Sequence, residues 1–287
     1  MDENVDIAII GGSGIYDISL LDNVREVNVD TPFGPPSDDI TIGEHGDKTI
    51  CFLPRHGIGH RISPSMLNSR ANIFALKKLG VKRIIAASAV GSLKQELAPL
   101  DIVIPDQIYD RTKLRANTFF DDGIVVHMGF ADPFCPDLSK TILDVTKEKG
   151  YSVHNGGTYV CMEGPQFSTR AESRVYQSLG FDIIGMTAIP EAKLAREAEM
   201  CYSMIATVTD YDVWSEEDVT IETIIENAMK NEAAVKDVIT NTISRISPTQ
   251  ECMCKDALAG AITTVQSMIP FETKQRLEPL IGKYLVD

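Results

Sequence analysis

Residues 201–214 read CYSMIATVTDYDVW, an apolar run of strand type from Met204 to Val208 that ends in two carboxylates, Asp210 and Asp212, flanking Tyr211. Open α/β sheets hold ligands beyond the carboxyl ends of their strands, so acidic groups placed directly after a buried strand are candidates for chemistry. A protonated Asp there donates to a heteroaromatic ring nitrogen, and an ionised one accepts from an exocyclic amine. Taken alone the stretch reads as a solvated acidic turn, and the flanking sequence has to decide.

Upstream, strand and helix patterns alternate. Thr158 to Met162 is a strand leading into Glu163-Gly164-Pro165-Gln166-Phe167-Ser168, followed by a helix over Ala171 to Leu179 that Gly180 stops. A strand over Asp182 to Met186 precedes Thr187 and a helix from Pro190 to Glu199. Phe167 offers a ring for stacking on a planar ligand or for the core. Downstream of Trp214 the pattern is helical, over Thr220 to Ile243 with one break and over Asp256 to Met268.

Towards the start, Val5 to Ile10 is a β-branched run entering Gly11-Gly12-Ser13-Gly14, a turn that is either structural or a cradle of amides and a hydroxyl for phosphate. It is no dinucleotide fingerprint, because Asp17 stands where the third glycine is needed, and it has no phosphate-loop lysine. Ile40–Gly43 and Thr49–Leu53 pair as strands, the second feeding Arg55 and His56, with His60 four residues on. A guanidinium fork beside imidazoles makes a local cationic pocket in an acidic chain. Ser63-Pro64 starts a helix that Gly80 stops, with Leu67, Ala71, Phe74, Ala75 and Leu79 on one face. Lys82 to Val90 is a central strand offering Ser88 and the Ala89 amide at its end. Asp101 to Pro105 is a further strand and Leu138 to Lys149 a helix. Between them, from Tyr109 to Ala131, periodicity fails; this long excursion, which includes His127, is expected to serve a site or an interface.

The 287 residues are 44% apolar and carry 41 acidic against 27 basic side chains, a net charge of -14. That balance argues against a nucleic-acid surface and a polybasic membrane patch, while leaving room for an anionic ligand held locally. No apolar run reaches the length of a membrane span, and acidic residues open the chain where a secretory signal would carry basic ones; a cytoplasmic protein is expected. The six cysteines are widely spaced and unlike a zinc ribbon, so no metal site is expected. Alternating elements without a linker imply one α/β domain over residues 1–287, with a helical extension from about 220.

The blocks IIGGSGIYD, DTPFGPPSD, LPRHG, ASAVGSL, DIVIPDQIYDRT, ADPFCP, MEGPQFSTRAES, MTAIPEAKLAREAE and TDYDVW, in this order, resemble the 5'-methylthioadenosine phosphorylases of the trimeric purine nucleoside phosphorylase class. The resemblance runs to about Ile243. It implies a central mixed β-sheet distorted toward a barrel and flanked by helices, in a homo-oligomer, either a trimer or a dimer of trimers. It implies phosphorolysis of 5'-methylthioadenosine to adenine and 5-methylthioribose 1-phosphate, with inorganic phosphate as co-substrate and no cofactor.

By position, the resemblance puts phosphate against Ser13, Arg55, His56, Ser88, Ala89 and Thr187. Ribose would meet Met186, with His60 nearby, and the purine would lie on Phe167 beside Ser168. Asp210 would be the catalytic acid and Asp212 the reader of the base edge, while Ile221 and Ile224 would receive the methylthio group. His127 would reach a neighbouring subunit. Gly185 departs from the Asn that family members carry there. The Cys252-Met253-Cys254 tail is similar to disulfide-bearing thermophilic members, which implies Cys252–Cys254 and Cys135–Cys201 pairs. The alternative is a relative acting on 6-oxopurine nucleosides, against which an ionised Asp212 argues, since it would face another acceptor.

Overall fold

The computed structural model describes residues 4–12, 15, 21–215, 220–247 and 249–285. Its axis is strand β5 (Arg83–Ser92), which runs parallel to β1 (Ile7–Gly11) on one side and β11 (Cys201–Asp210) on the other. All of β1 and the first nine residues of β11 are buried. Strands covered on both faces lose the polar alternation of half-exposed ones, which is why these segments read as continuous apolar runs. β4 (Lys48–Pro54) lies parallel beyond β1, followed outward by antiparallel β3 (Ile40–His45) and β2 (Asp22–Val27).

The sheet branches at β5. One arm passes to β10 (Ile183–Gly185), β9 (Thr158–Met162) and β7 (Gln107–Arg111); the other leaves through β11 to β6 (Ile102–Ile104) and β8 (Val153–Asn155). Among the described residues the result is one mixed sheet of 11 strands. Helices cover it: α1 (Ser69–Lys78), α2 (Pro136–Glu148), α3 (Arg170–Ser178), α4 (Ala188–Glu197) and α5 (Ile221–Arg245), with short α6 (Phe271–Arg276) and α7 (Glu278–Ile281) at the end.

Several elements differ from the sequence expectation. Ser63-Pro64 opens only a 3-10 turn, and α1 begins six residues later because the Asn68 side chain accepts from the Ala71 amide and caps it. Tyr109 to Arg111 are the end of β7, so the irregular excursion starts at Thr112. α5 has no break: Val235, Val238, Ile239 and Ile243 keep one face buried, and Asn227 and Asn231 donate to the carbonyls of Thr209 and Val208 at the end of β11. The helix expected over Asp256 to Met268 is replaced by two 3-10 turns, Met253–Asp256 and Gln266–Met268, separated where Gly260 takes a left-handed φ of 71°.

All six cysteines are free thiols. The expected Cys135–Cys201 and Cys252–Cys254 pairs are therefore not formed, and Cys201 Sγ lies 3.1 Å from Cys252 Sγ.

Candidate active site

Parallel β4, β1, β5 and β11 all point their carboxyl ends at one cavity of about 580 Å³, roofed by α5. Arg55, His56, His60, Ser88, Ala89, Phe167, Met186, Thr187, Asp210, Asp212 and Ile224 line it together. Ser13 lies outside the described residues. Two of the other residues expected here do not line the cavity wall, and His127, expected to reach a neighbouring subunit, lies elsewhere. Ser168 is buried behind it, with its hydroxyl turned to Met162 Sδ at 3.6 Å. Ile221 sits on the first turn of α5, 63% exposed and beyond the cavity rim; Ile224, Ile225, Ala228 and Met229 form the apolar wall instead. His127 is exposed on the excursion, away from this cavity, with its amide held by Ala261.

At one end of the cavity the groups are hydroxyls and a nearly saturated cation. Ser88 Oγ and Thr187 Oγ1 are 2.9 Å apart. Arg55 is 2% exposed, and its Nε donates to Glu191 at 2.5 Å. Its Nη atoms donate to the Ala87 and Ile10 carbonyls and again to Glu191. Of five guanidinium hydrogens, one on Nη1 is left for a ligand among the described residues. Burial works against the Arg55 charge, but Glu191 outweighs it and holds the guanidinium protonated. Arg55 is thus a fixed positive charge more than a grasping fork.

His56 differs from a simple cationic donor. Its Nδ1 is 2.8 Å from the Ile62 carbonyl, so Nδ1 carries the hydrogen, and its ring stacks on His60 at 4.2 Å. Burial, and then the Arg55 charge, push its pKa down to about 4. At neutral pH its free Nε2 is an acceptor.

At the other end stand the carboxylates. Asp210 Oδ2 accepts from Thr209 Oγ1 at 2.7 Å and Oδ1 from the Asp212 amide at 2.8 Å. Burial nevertheless raises its pKa. Asp212 is 6% exposed, held at a left-handed φ of 51°, and its pKa is also raised by burial. Its Oδ2 is sealed from solvent and makes no hydrogen bond of normal geometry among the described residues, although the buried Ser173 hydroxyl lies close enough to offset part of the burial effect on the carboxyl. Gly91 makes room for both: a Cβ there would lie 3.0 Å from Asp210 Oδ1. Phe167, 54% exposed at the cavity, presents a ring that the core does not use.

Sequence reasoning missed the groups that hold these. Arg115, in the excursion, donates to the Met162, Glu163, Met186 and Ile189 carbonyls and to the Glu163 carboxylate. One guanidinium thereby fixes the two cavity loops that carry Met162 and Met186. Glu191 and Tyr202 form the buried network that fixes Arg55. Tyr159 Oη bonds both Thr187 Oγ1 and the Thr187 amide, each at 3.2 Å. Gly185 is explained by it, since a Cβ at 185 would meet Tyr159 Oη at 2.1 Å. A lone Arg in an irregular loop and a Tyr inside a strand carry no local signal of these roles.

The chain matches the family model of the phosphorylase superfamily over residues 6–244. It is 54% identical to the S-methyl-5'-thioadenosine phosphorylase of Geobacter sulfurreducens over 97% of this chain and 99% of that one. A methylthioadenosine phosphorylase from an Antarctic soil metagenomic library superposes with a TM-score of 0.93 at 48% identity, covering 97% and 99% of the two chains. A variant of the Schistosoma mansoni adenosine/methylthioadenosine phosphorylase in complex with methylthioadenosine superposes at 0.85 with 36% identity over 90% and 99%. Matched over nearly its whole length in sequence and in fold, the chain belongs to the phosphorylase superfamily and, within it, to the S-methyl-5'-thioadenosine phosphorylases.

Proposed function

We propose that this protein cleaves 5'-methylthioadenosine by phosphorolysis, releasing adenine and 5-methylthioribose 1-phosphate. The observation that carries the reading is one cavity with three chemically different walls: hydroxyls and a fixed cation, paired half-protonatable carboxylates, and the apolar face of α5. A phosphate beside Ser88, Thr187 and Arg55 would face the anomeric carbon of a ribose resting on Met186. As the C1'–N9 bond breaks and a C1'–O bond to phosphate forms, negative charge develops on the purine. Asp210, whose hold on its proton burial strengthens, donates to N7 in its protonated form and takes up that charge. The phosphate also stabilises the oxocarbenium-like sugar by its own charge. The Asp212 carboxylate is the acceptor for a 6-amino hydrogen, and Ile224, Ile225 and Met229 suit a methylthio group better than a hydroxyl.

The reading needs no cofactor. It takes the chain as one catalytic domain, supported by a core cluster that includes residues from Val5 to Ile281. It also takes the protein as a homo-oligomer, supported by large apolar side chains left exposed, such as Met66 at 74% and Leu114 at 88%. No helix among the described residues is long and apolar enough to cross a membrane.

A specific observation favours a second substrate class. Burial raises the Asp212 pKa, and a protonated Asp212 would donate to a 6-oxo group. The test is base release from 5'-methylthioadenosine and 5'-methylthioinosine in parallel, with and without phosphate. Phosphate-dependent adenine release well above hypoxanthine release is expected. Preferential hypoxanthine release would transfer the assignment to 6-oxopurines, and release without phosphate would remove phosphorolysis.

A further inference from the structure

At the opposite end of β11 from the cavity, four cysteines that are far apart in sequence converge. Cys135 caps the start of α2, Cys201 opens β11, and Cys252 and Cys254 flank the start of a 3-10 turn in the C-terminal segment. All four Sγ atoms lie within 4.8 Å of one another, and three of the four residues are buried. Two disulfides would divide such a group into separate pairs with sulfurs about 2.05 Å apart. Here the sulfurs surround a common point, and a tetrahedral ion with bonds of about 2.3 Å to sulfur would place its ligands about 3.8 Å apart, inside the observed spread.

The surroundings suit an anionic thiolate cluster. Gln250 Nε2 donates to Cys201 Sγ at 3.3 Å. Arg83, 7% exposed and directly across from Cys201 in the β5–β11 register, lines the adjoining cleft with Cys135, Cys201 and Cys252. Its Nη2 is held by the Thr249 carbonyl, but its Nη1 is buried with no partner among the described residues. A buried, half-used cation beside four uncharged thiols is electrostatically expensive; beside a tetrathiolate carrying a divalent ion, with a net charge of two minus, it is compensated.

We propose that Cys135, Cys201, Cys252 and Cys254 form a structural site for a thiophilic divalent cation of the zinc class. Binding would release the four thiol protons to solvent and tie α2, β11 and the C-terminal segment to one ion. The one-residue spacing of Cys252 and Cys254 is shorter than the usual zinc knuckle, so the sequence hides the site; the turn at 253–256 turns both thiols inward.

The test uses the full chain, purified under reducing, oxygen-free conditions, stripped of metal and titrated with cobalt(II) as a spectroscopic probe and with zinc. Expected are one ion per chain, near-ultraviolet thiolate-to-cobalt bands with tetrahedral visible bands, and displacement of cobalt by zinc. Cys252→Ser should weaken binding at least tenfold while phosphorolysis at low temperature stays within about twofold of the parent. Zinc should also raise the melting temperature of the parent and not of the variant. If the variant does not fold, the cobalt spectrum of the parent alone decides. A reduced chain that binds no cobalt, an ion that Cys252→Ser retains with equal affinity, or a metal-free protein as isolated with fewer than six titratable thiols overturns the proposal.

Discussion

The two ends of β11 are made from the same ten-residue strand and do opposite things. At its carboxyl end, β5 and β11 stop together and leave Asp210 and Asp212 lining a cavity. At its amino end, Cys201 is enclosed by α2 and the C-terminal segment, and its neighbours are other thiols. The difference lies in the segments joined to each end of the parallel strands. Carboxyl ends continue into loops such as 55–62, whose irregular backbone can aim polar groups at a ligand; amino ends are entered from helices and turns that close the core. A buried strand about 30 Å long keeps the two ends mechanically joined and chemically separate.

The largest expected effect comes from breaking the carboxyl end. Asp210→Asn removes the proton donated to N7 and should lower kcat for 5'-methylthioadenosine roughly 100- to 10,000-fold, without lowering the melting temperature. Cys201→Ser should do the reverse, leaving kcat within about twofold and lowering the melting temperature by several degrees. Because the sites are far apart, the double variant should show the two effects added within error. Strong non-additivity in kcat would mean that the ends are coupled through the strand.

Gly185→Ala tests how tightly the cavity loops are held. The new methyl group would displace Tyr159, which fixes Thr187 through two hydrogen bonds, and kcat/KM for phosphate should fall roughly 10- to 100-fold. An unchanged phosphate dependence would show that Thr187 does not need Tyr159. Asp212→Asn should have a smaller effect, read as a ratio. Replacing the carboxylate, an acceptor only when ionised, by an amide that can also donate should shift preference towards 5'-methylthioinosine by about tenfold or more. The same shift, reversible, is expected in the parent as pH falls through the raised Asp212 pKa, since the protonated carboxyl donates where the carboxylate accepts.

How much of this is legible in sequence depends on whether a residue's role is local. The run from Met204 to Asp210 announces a buried strand and its carboxylates, and the blocks around Arg55, Ser88 and Thr187 can be ordered into one family resemblance. Eleven of the expected site residues do meet at one cavity. Ile221 does not line it, because a side chain on the first turn of α5, three residues before Ile224, already lies beyond the rim. Roles made by tertiary contact have no such signature. Arg115 reads the backbone of two loops 47 to 74 residues further on, and Tyr159 occupies the space that Gly185 leaves. The thiol cluster joins positions 135, 201, 252 and 254, whose spacing suggests nothing until the strand and helix that carry them are packed together.

The finest test concerns His56, just past the carboxyl end of β4, because there the positive charge expected from sequence is removed by burial. Its Nδ1 hydrogen is committed to Ile62, and burial together with Arg55 keeps the ring neutral above about pH 4. In the ligand-free protein this depressed value means that His56 contributes stability that is full above the unfolded pKa of about 6.5 and is lost as pH falls towards 4. With Nδ1 committed, a neutral His56 has only an acceptor, Nε2, to offer a phosphate bound at the proposed site, and an acceptor cannot bind a dianion unless a proton comes with it. Phosphate should therefore bind with uptake of up to one proton, drawn from solvent or carried in as the monoanion. Calorimetric titration of phosphate in buffers of different ionisation enthalpy should count that proton at about pH 7.5. KM for phosphate should then rise with pH, at most about tenfold per unit. His56→Gln, whose amide donates at any pH, should flatten the dependence. Zero proton uptake with a flat KM in the parent would show that His56 touches phosphate only through its neighbours, leaving Ser88, Thr187 and the remaining Arg55 hydrogen to hold the anion.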